Sequence, residues 1–175
     1  MSKSCKAYVC LGSNLGEPAE NLARARQGLA SIKGISITKV SPVYTTEPQD
    51  CKEQPWFDNQ IVELAVVEEI CAGELLELLL NLELALGRKR RYLDCGETEE
   101  DRSGPRVIDL DLLWFDYSVL LTPKLTLPHP RMLKRAFVLI PLRDIAPDFS
   151  FPDGTSIDEA LNRLEYQVEG QIIHQ

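Results

Sequence analysis

Arg106-Val107-Ile108-Asp109-Leu110-Asp111 sets two carboxylates at i and i+2 in a segment that alternates apolar and polar residues. On a strand this spacing sends both to one face, roughly 6–7 Å apart along it at ~3.3 Å per residue. Two hard oxygen donors so placed suit Mg²⁺, which keeps several waters and takes further ligands from substrate phosphates. Without a counter-ion the pair would repel, and one member would tend to stay protonated. A solvated strand face explains the alternation as well, but the arginines near it in sequence favour a site. Arg88, Arg90 and Arg91 (with Lys89) lie before the pair, and Arg102 and Arg106 adjoin it. A guanidinium offers a planar fork that meets phosphate oxygens bidentately. Cations at a helix C-terminus account for 88–91 equally well, since the helix dipole favours them. They fit Arg106 less well, because Gly104-Pro105 stiffens the chain just before it and delivers it to the acidic strand. Asp94, Glu97, Glu99, Glu100 and Asp101 between them read as a solvated loop face.

His129 sits in Leu127-Pro128-His129-Pro130-Arg131. Each proline fixes its own φ and restricts the residue before it, so the imidazole has a narrow range of directions. A lone histidine is more often a structural hydrogen-bonder, but Arg131, Lys134 and Arg135 follow and favour a phosphate-facing role. His174 reads as incidental. Gly12-Ser13-Asn14-Leu15-Gly16 is neither a P-loop nor a G-x-G-x-x-G fingerprint, and by itself is a turn entering a helix. No serine lies in a G-x-S-x-G elbow.

The elements that must carry these groups follow from hydrophobic periodicity. Tyr8 to Leu11 reads as a strand, and a helix follows with Pro18 in its first turn, where a missing N–H costs little. Leu22, Ala25, Leu29 and Ile32 recur at helical spacing up to Gly34. Ile35 opens a β-branched strand expected to continue past Pro42 to about Thr46. The segment from Pro48 to Pro55 reads as a loop, and Gln60 to Val67 as the next strand. A second helix carries Leu75, Leu79, Leu82 and Leu86 on one face, with Gly87 just beyond. Val107 to Phe115 is a strand with Ile108, Leu110, Leu112 and Trp114 on one side and both aspartates on the other. The order βαββαβ is ferredoxin-like. Val119 to Leu127 is expected to add edge strands and Met132 to Leu139 a helix. Ser156-Ile157-Asp158-Glu159 has the form of a capping box opening a last short helix. The expected fold class is α+β: a ferredoxin-like core with additional C-terminal edge strands and short helices.

Composition bounds the partners. The 175 residues include 44% hydrophobic and 26% charged side chains, enough apolar material for one globular domain rather than a disordered chain. The net charge of −8 disfavours general nucleic-acid binding, because a negative field repels a phosphate backbone. A small anionic substrate needs only a local basic cluster. Leu75 to Leu86, interrupted by Glu77 and Glu83, is too short to cross a bilayer, and the N-terminal residues carry no export signal. The five cysteines are scattered without a C-x-x-C pair, so they read as reduced thiols in a cytoplasmic protein.

Six segments occur in a recognisable order: Gly12-Ser13-Asn14-Leu15-Gly16, Ser41 to Pro48, Phe57-Asp58-Asn59, Gly87-Arg88, Gly104 to Asp111 and Leu127-Pro128-His129. Together they resemble the 6-hydroxymethyl-7,8-dihydropterin pyrophosphokinases of folate biosynthesis, over about Tyr8 to Pro152. The G-P-R-x-x-D-x-D block followed by P-H-P is the specific part. The resemblance implies that residues 1–175 form a single pyrophosphokinase domain. It would transfer the pyrophosphoryl unit of ATP to the hydroxymethyl oxygen of 6-hydroxymethyl-7,8-dihydropterin and release AMP, using two Mg²⁺ ions. Carried over, Asp109 and Asp111 would hold the metals. Arg88 and Arg106 would bind the triphosphate and the charge developing on it, and His129, Arg135 and Lys124 would contact ATP, with adenine near Ile108. Phe57 and Phe137 would sandwich the pterin, with Asn59 and the segment around Thr46 and Pro48 supplying polar contacts. A monomer, with no nucleic-acid or membrane partner, is expected. The chain departs from the family in having Ser103 where an aromatic residue often precedes the G-P-R block, and in a longer, acidic 88–102 loop. In that loop Tyr92 and Leu93 could replace the ring. Two rivals remain: an ordinary kinase, which would release ADP, and a non-catalytic ferredoxin-like nucleotide-binding module.

Overall fold

The computed structural model describes residues 4–49, 53–88 and 104–175. Strand β1 (Ser4–Ser13) is followed by helix α1 (Pro18–Ser31), strands β2 (Ile35–Val40), β3 (Tyr44–Thr46) and β4 (Phe57–Val67), and helix α2 (Ala72–Ala85). Then come β5 (Asp109–Phe115), a short ribbon of β6 (Leu120–Leu121) and β7 (Thr126–Leu127), and a 3₁₀ turn at Met132–Lys134. Helices α3 (Ala136–Ile145) and α4 (Ile157–Leu161) precede β8 (Gln167–Glu169) and β9 (Ile172–His174).

The core of the sheet runs β5-β1-β4, with β2 and β3 both pairing the far edge of β4. All these pairings are antiparallel, which gives the ferredoxin-like arrangement. β9 then adds in parallel to β3, and β8 closes that edge, so the complete sheet is mixed. Alternation splits the strands between two apolar layers. Ala7, Val9, Leu11, Val62, Leu64, Leu110 and Leu112 pack beneath α1 and α2. Tyr8, Cys10, Ile61, Leu113 and Trp114 pack against α3 and α4.

Four expectations need correction. The strand from Ile35 does not run on to Thr46: it stops at Val40 and resumes at Tyr44. At the break, Ser41 turns its Oγ to accept from Ile61 N at 2.9 Å, and Pro42 has no N–H to offer a ladder. Trp114 does not share a face with Leu112. The β1–β5 register shifts between Tyr8 and Val9, so the bulge at Leu113 turns Trp114 to the α3 side, and Phe115 takes its place under the helices. Residues 119–127 form a separate two-stranded ribbon, and the edge strands come instead from residues 167–174. The Met132–Leu139 helix is broken at Arg135, whose φ of −124° and ψ of 100° are extended. The capping box at Ser156 forms as read, with Glu159 N donating to Ser156 Oγ at 3.2 Å and Ser156 N to Glu159 Oε2 at 2.8 Å. Among the described residues no helix is long and apolar enough to cross a membrane.

Candidate active site

A cleft of about 390 Å³ opens where β5, the edge strand, meets α2, the β6–β7 turn and the start of α3. Asp109 and Asp111 face it from β5, as their alternation requires, and β1 supplies Cys10 and Gly12 to its floor. Gly12 pairs across the sheet with both Asn59 and Asp109. A Cβ there would come within 3.0 Å of Asn59 Oδ1, so glycine is what lets the floor approach both side chains.

The arginines reach the cleft by different routes. Gly87, at φ +99°, ends α2 in a conformation that glycine adopts without steric cost. Gly87 N then donates to Leu84 O at 3.1 Å and Arg88 N to Glu83 O at 3.0 Å, a Schellman closure that turns Arg88 back on its own helix. There Arg88 Nη1 donates to Glu83 Oε1 at 2.7 Å and also pairs with Asp109. Glu83 is 1% exposed, and its Oε1 also accepts from Leu110 N at 2.7 Å, so one carboxylate ties α2 and β5 together. Arg106 Nη1 meets Asp109 Oδ2 at 2.6 Å, and Arg135 Nη1 lies 3.7 Å from Asp111 Oδ2.

The segment before β5 is held by the Gly-Ser-Asn turn. Ser13 Oγ donates to Val107 O at 2.6 Å, Arg106 N to Asn14 Oδ1 at 2.8 Å, and Asn14 N to Arg106 O at 3.1 Å. Asn14 Nδ2 also donates to Pro55 O at 2.9 Å, and Asn21 of α1 braces Ser13 Oγ at 3.1 Å. This turn is therefore a buried polar lock that fixes the arginine and both aspartates in register.

The electrostatics of the two aspartates diverge. Burial alone would raise Asp109, but the Arg106 and Arg88 guanidiniums outweigh it and hold the carboxyl below its ordinary range. At Asp111 burial comes first, the charge of Asp109 adds to it, and the distant Arg135 compensates only in part, so the group is pushed up to about 6. Burial, then the charges of Arg135 and Arg131, takes His129 down to about 4, so its ring is neutral at pH 7. His129 Nδ1 accepts from Arg131 N at 3.2 Å, which leaves the ring proton on Nε2 to donate. Burial drives the Cys10 thiol well above its ordinary range, so it stays protonated.

Arg88, Arg106, Asp109, Asp111, Lys124, His129, Arg135, Thr46, Phe57, Asn59 and Phe137 all line this one cleft. Asn59 Nδ2 donates to Thr46 Oγ1 at 2.7 Å, both buried, and the Arg106 and Arg135 guanidiniums sit 5.7 and 5.3 Å from the Phe57 and Phe137 ring centres. Two residues fall elsewhere. Ile108 is fully buried in the core beneath the helices, and Leu110 and Leu112 line the cleft in its stead. Pro48 is buried beside the cleft, whose lining passes through Glu47 and Gln49. Lys89, Arg90, Arg91, Tyr92, Leu93, Arg102 and Ser103, with the acidic stretch between, lie outside the described residues. Glu83 was not singled out as functional, although a carboxylate one helical repeat beyond Leu75 and Leu79 is a readable signal. Among the described residues no three carboxylate, histidine or cysteine side chains cluster as a metal cage. The donors at hand are the two aspartates, which fits Mg²⁺ completed by water and phosphate oxygens.

The chain is 41% identical over 160 residues to the 2-amino-4-hydroxy-6-hydroxymethyldihydropteridine pyrophosphokinase of Methylorubrum extorquens, covering 91% of this chain and 94% of that one. The protein of the same name from Pseudomonas aeruginosa is 38% identical over 162 residues, covering 93% of each. Among solved structures, an HPPK-DHPS crystallised with substrates superposes with a TM-score of 0.68 at 14% identity, covering 91% of this chain and 43% of that one. The wild-type Plasmodium falciparum HPPK-DHPS with pteroate gives 0.61 at 15% identity, covering 93% and 43%. These structural likenesses speak for the fold, and this chain spans less than half of either. Residues 8–147 match the family described as 7,8-dihydro-6-hydroxymethylpterin-pyrophosphokinase, and to that family the chain belongs.

Proposed function

We propose that residues 1–175 act as one pyrophosphokinase domain that uses ATP and Mg²⁺ to pyrophosphorylate 6-hydroxymethyl-7,8-dihydropterin. The hydroxymethyl oxygen attacks the β-phosphorus of ATP and gives up its proton to water, the bond from the β-phosphorus to the α,β-bridging oxygen breaks, and AMP leaves carrying that oxygen. The observation that carries this reading is the side-by-side placement of Asp109 and Asp111 in a cleft that also receives Arg88, Arg106 and Arg135. Such a transfer asks a protein mainly for positioning and for neutralising charge, and those are the groups present.

Asp109 and Asp111 would hold two Mg²⁺ ions with the phosphate oxygens. Metal ions so placed supply charge neutralisation on both sides of an in-line displacement. The guanidiniums on Asp109 would change partners: with ATP bound, Arg88 and Arg106 would turn their donors to phosphate oxygens and leave the carboxylate to hold Mg²⁺. Glu83 stays on Arg88 through that exchange and keeps it aimed. Neutral His129 donates from Nε2, and Arg135 and Lys124 complete the basic wall. At the other end Phe57 and Phe137 offer ring faces, and Asn59, held by Thr46, presents an amide edge to the pterin.

Incubation with ATP, Mg²⁺ and the reduced hydroxymethylpterin tests the reading directly. AMP and a pterin diphosphate should form together. ADP in place of AMP would make the protein an ordinary kinase, and no nucleotide turnover would make it a binding module.

A further inference from the structure

We propose that β9 and the residue after it form a clip that positions the pterin end of the cleft, with Gln175 and His174 as positioning residues. The proposal rests on assigning Phe57, Asn59 and Phe137 to the pterin.

β9 pairs in parallel with β3, setting Ile172 against Thr45 and Ile173 against Thr46, and Ile173 is 1% exposed, so the pairing is anchored in the core. Gln175 therefore arrives where two walls of the cleft meet. Its Oε1 accepts from Ala136 N at 2.7 Å, the first N–H of α3, and from Gln49 Nε2 at 2.9 Å. Its Nε2 donates to Lys134 O at 2.8 Å, and its backbone N donates to Glu47 Oε1 at 3.2 Å. A single side chain thus spans the extended break at Arg135, between the 3₁₀ turn and α3. The same residue ties that break to the 47–49 strip on the opposite wall. Arg135 and Phe137 project from that break into the cleft, so their aim depends on how α3 begins.

His174 acts on the neighbouring strip. Its ring meets Trp56 edge to face, with centroids 5.4 Å apart at 84°, and its Nδ1 is 3.6 Å from Glu47 Oε1. Trp56 directly precedes Phe57, so this contact sets the approach of the chain to the ring in the cleft. None of these contacts reaches Asp109, Asp111 or Arg88. Arg135, at the break itself, lies 3.7 Å from Asp111, so the clip should act first on pterin binding and only weakly, through Arg135, on the phosphate end.

The test compares Gln175→Ala, His174→Ala and His174→Phe with the parent enzyme, with Phe57→Ala as a control on the pterin assignment. Losing a shared hydrogen-bonding hub should raise the KM for the pterin roughly three- to tenfold in Gln175→Ala, while kcat and the KM for ATP stay within about twofold. His174→Ala should shift the same constant by less, and His174→Phe, which keeps an aromatic edge for Trp56, should restore it. If Phe57→Ala raises the pterin KM while Gln175→Ala and His174→Ala do not, the clip is refuted and the pterin assignment stands. If kcat and both KM values change together with a fall in melting temperature, the segment is merely structural and the proposal fails. If Phe57→Ala also leaves the pterin KM unmoved, the pterin assignment falls and the clip falls with it.

Discussion

Along β1, Ala7, Val9 and Leu11 are 0% exposed beneath α1 and α2, whereas Tyr8, Cys10 and Gly12 face the other way. On that second face the strands pass from a buried hydroxyl, through a thiol, to bare backbone at the cleft. β4 repeats the contrast, with Val62, Leu64 and Val66 on one side and Asn59, Ile61 and Glu63 on the other. The helix-covered face is apolar along its middle and turns polar only at its cleft-side end, where buried Ser13 and Gln60 accept from Asn21 and Arg26 of α1. The α3 face is apolar only in its middle and polar at both ends, and the two ends differ in kind. At one, Glu63 is fixed by hydroxyls: Tyr8 donates at 2.9 Å and Thr38, at a bulge in β2, at 2.7 Å, with Lys6 and Lys39 near by. At the other, Asp109 is held by guanidiniums that, on the proposed function, would turn to the phosphates of ATP. One face thus serves stability, and the other keeps one permanent polar anchor and one whose partners the proposed function would exchange.

The sharpest way to break this comparison is at the exchangeable end. Asp111→Asn should lower AMP production roughly a hundredfold or more, since a ligand to a charge-neutralising metal is lost. Its melting temperature should hardly move. Asp109→Asn should lose turnover similarly but also melt earlier, because Arg88 and Arg106, 10% and 15% exposed, lose the carboxylate between them. Near-normal turnover by both variants would remove the metal assignment. The helix-covered face should behave in the opposite manner. Leu64→Ala should cost about 2–5 kcal/mol in urea unfolding, with kcat per folded molecule within about twofold.

Tyr8→Phe probes the permanent anchor. Removing a donor from a buried carboxylate should cost about 1.5–3 kcal/mol, again with unchanged kinetics. Burial, then the bond to Glu63, raises the Tyr8 hydroxyl above its ordinary range. Its contribution is therefore complete below about pH 10, the ordinary tyrosine value, and fades as pH rises beyond. Burial opposes ionisation of Glu63, but the Thr38 and Tyr8 hydroxyls and the two lysines hold it below its ordinary range. That contribution is complete above the ordinary carboxylate value of about 4.3 and fades as pH falls. Unfolding of both proteins at pH 4, 7 and 10.5 should show the gap between them narrowing at both extremes; a constant gap would separate the pair from stability. The smallest effect is expected at Gly12→Ala. A methyl 3.0 Å from Asn59 Oδ1 asks that amide to yield by a few tenths of an ångström. The cost should be on the order of 1 kcal/mol, read as a severalfold rise in the pterin KM without a change in the KM for ATP.

What the sequence by itself determined is whatever a local period can encode. The i, i+2 spacing of Asp109 and Asp111 put both on one face whatever the strand paired with, and the leucine repeat of α2 and the box at Ser156 follow the same logic. The joint occurrence of spaced motifs carried the resemblance to the family, because members that share a fold keep the segments of one cleft in the same chain order. Only the tertiary structure decided the rest. The bulge that turns Trp114 away from Leu112 exists because β5 must stay in register with β1, a partner about a hundred residues earlier. Glu83 became a hinge-pin rather than a flaw in an apolar stripe because β5 brings Leu110 N and Asp109 to it. Gly-Ser-Asn became a lock because its acceptors and donors lie at Arg106 and Val107. In each case the polar group is buried and must find a partner, and that partner is set by chain crossings that no local pattern records.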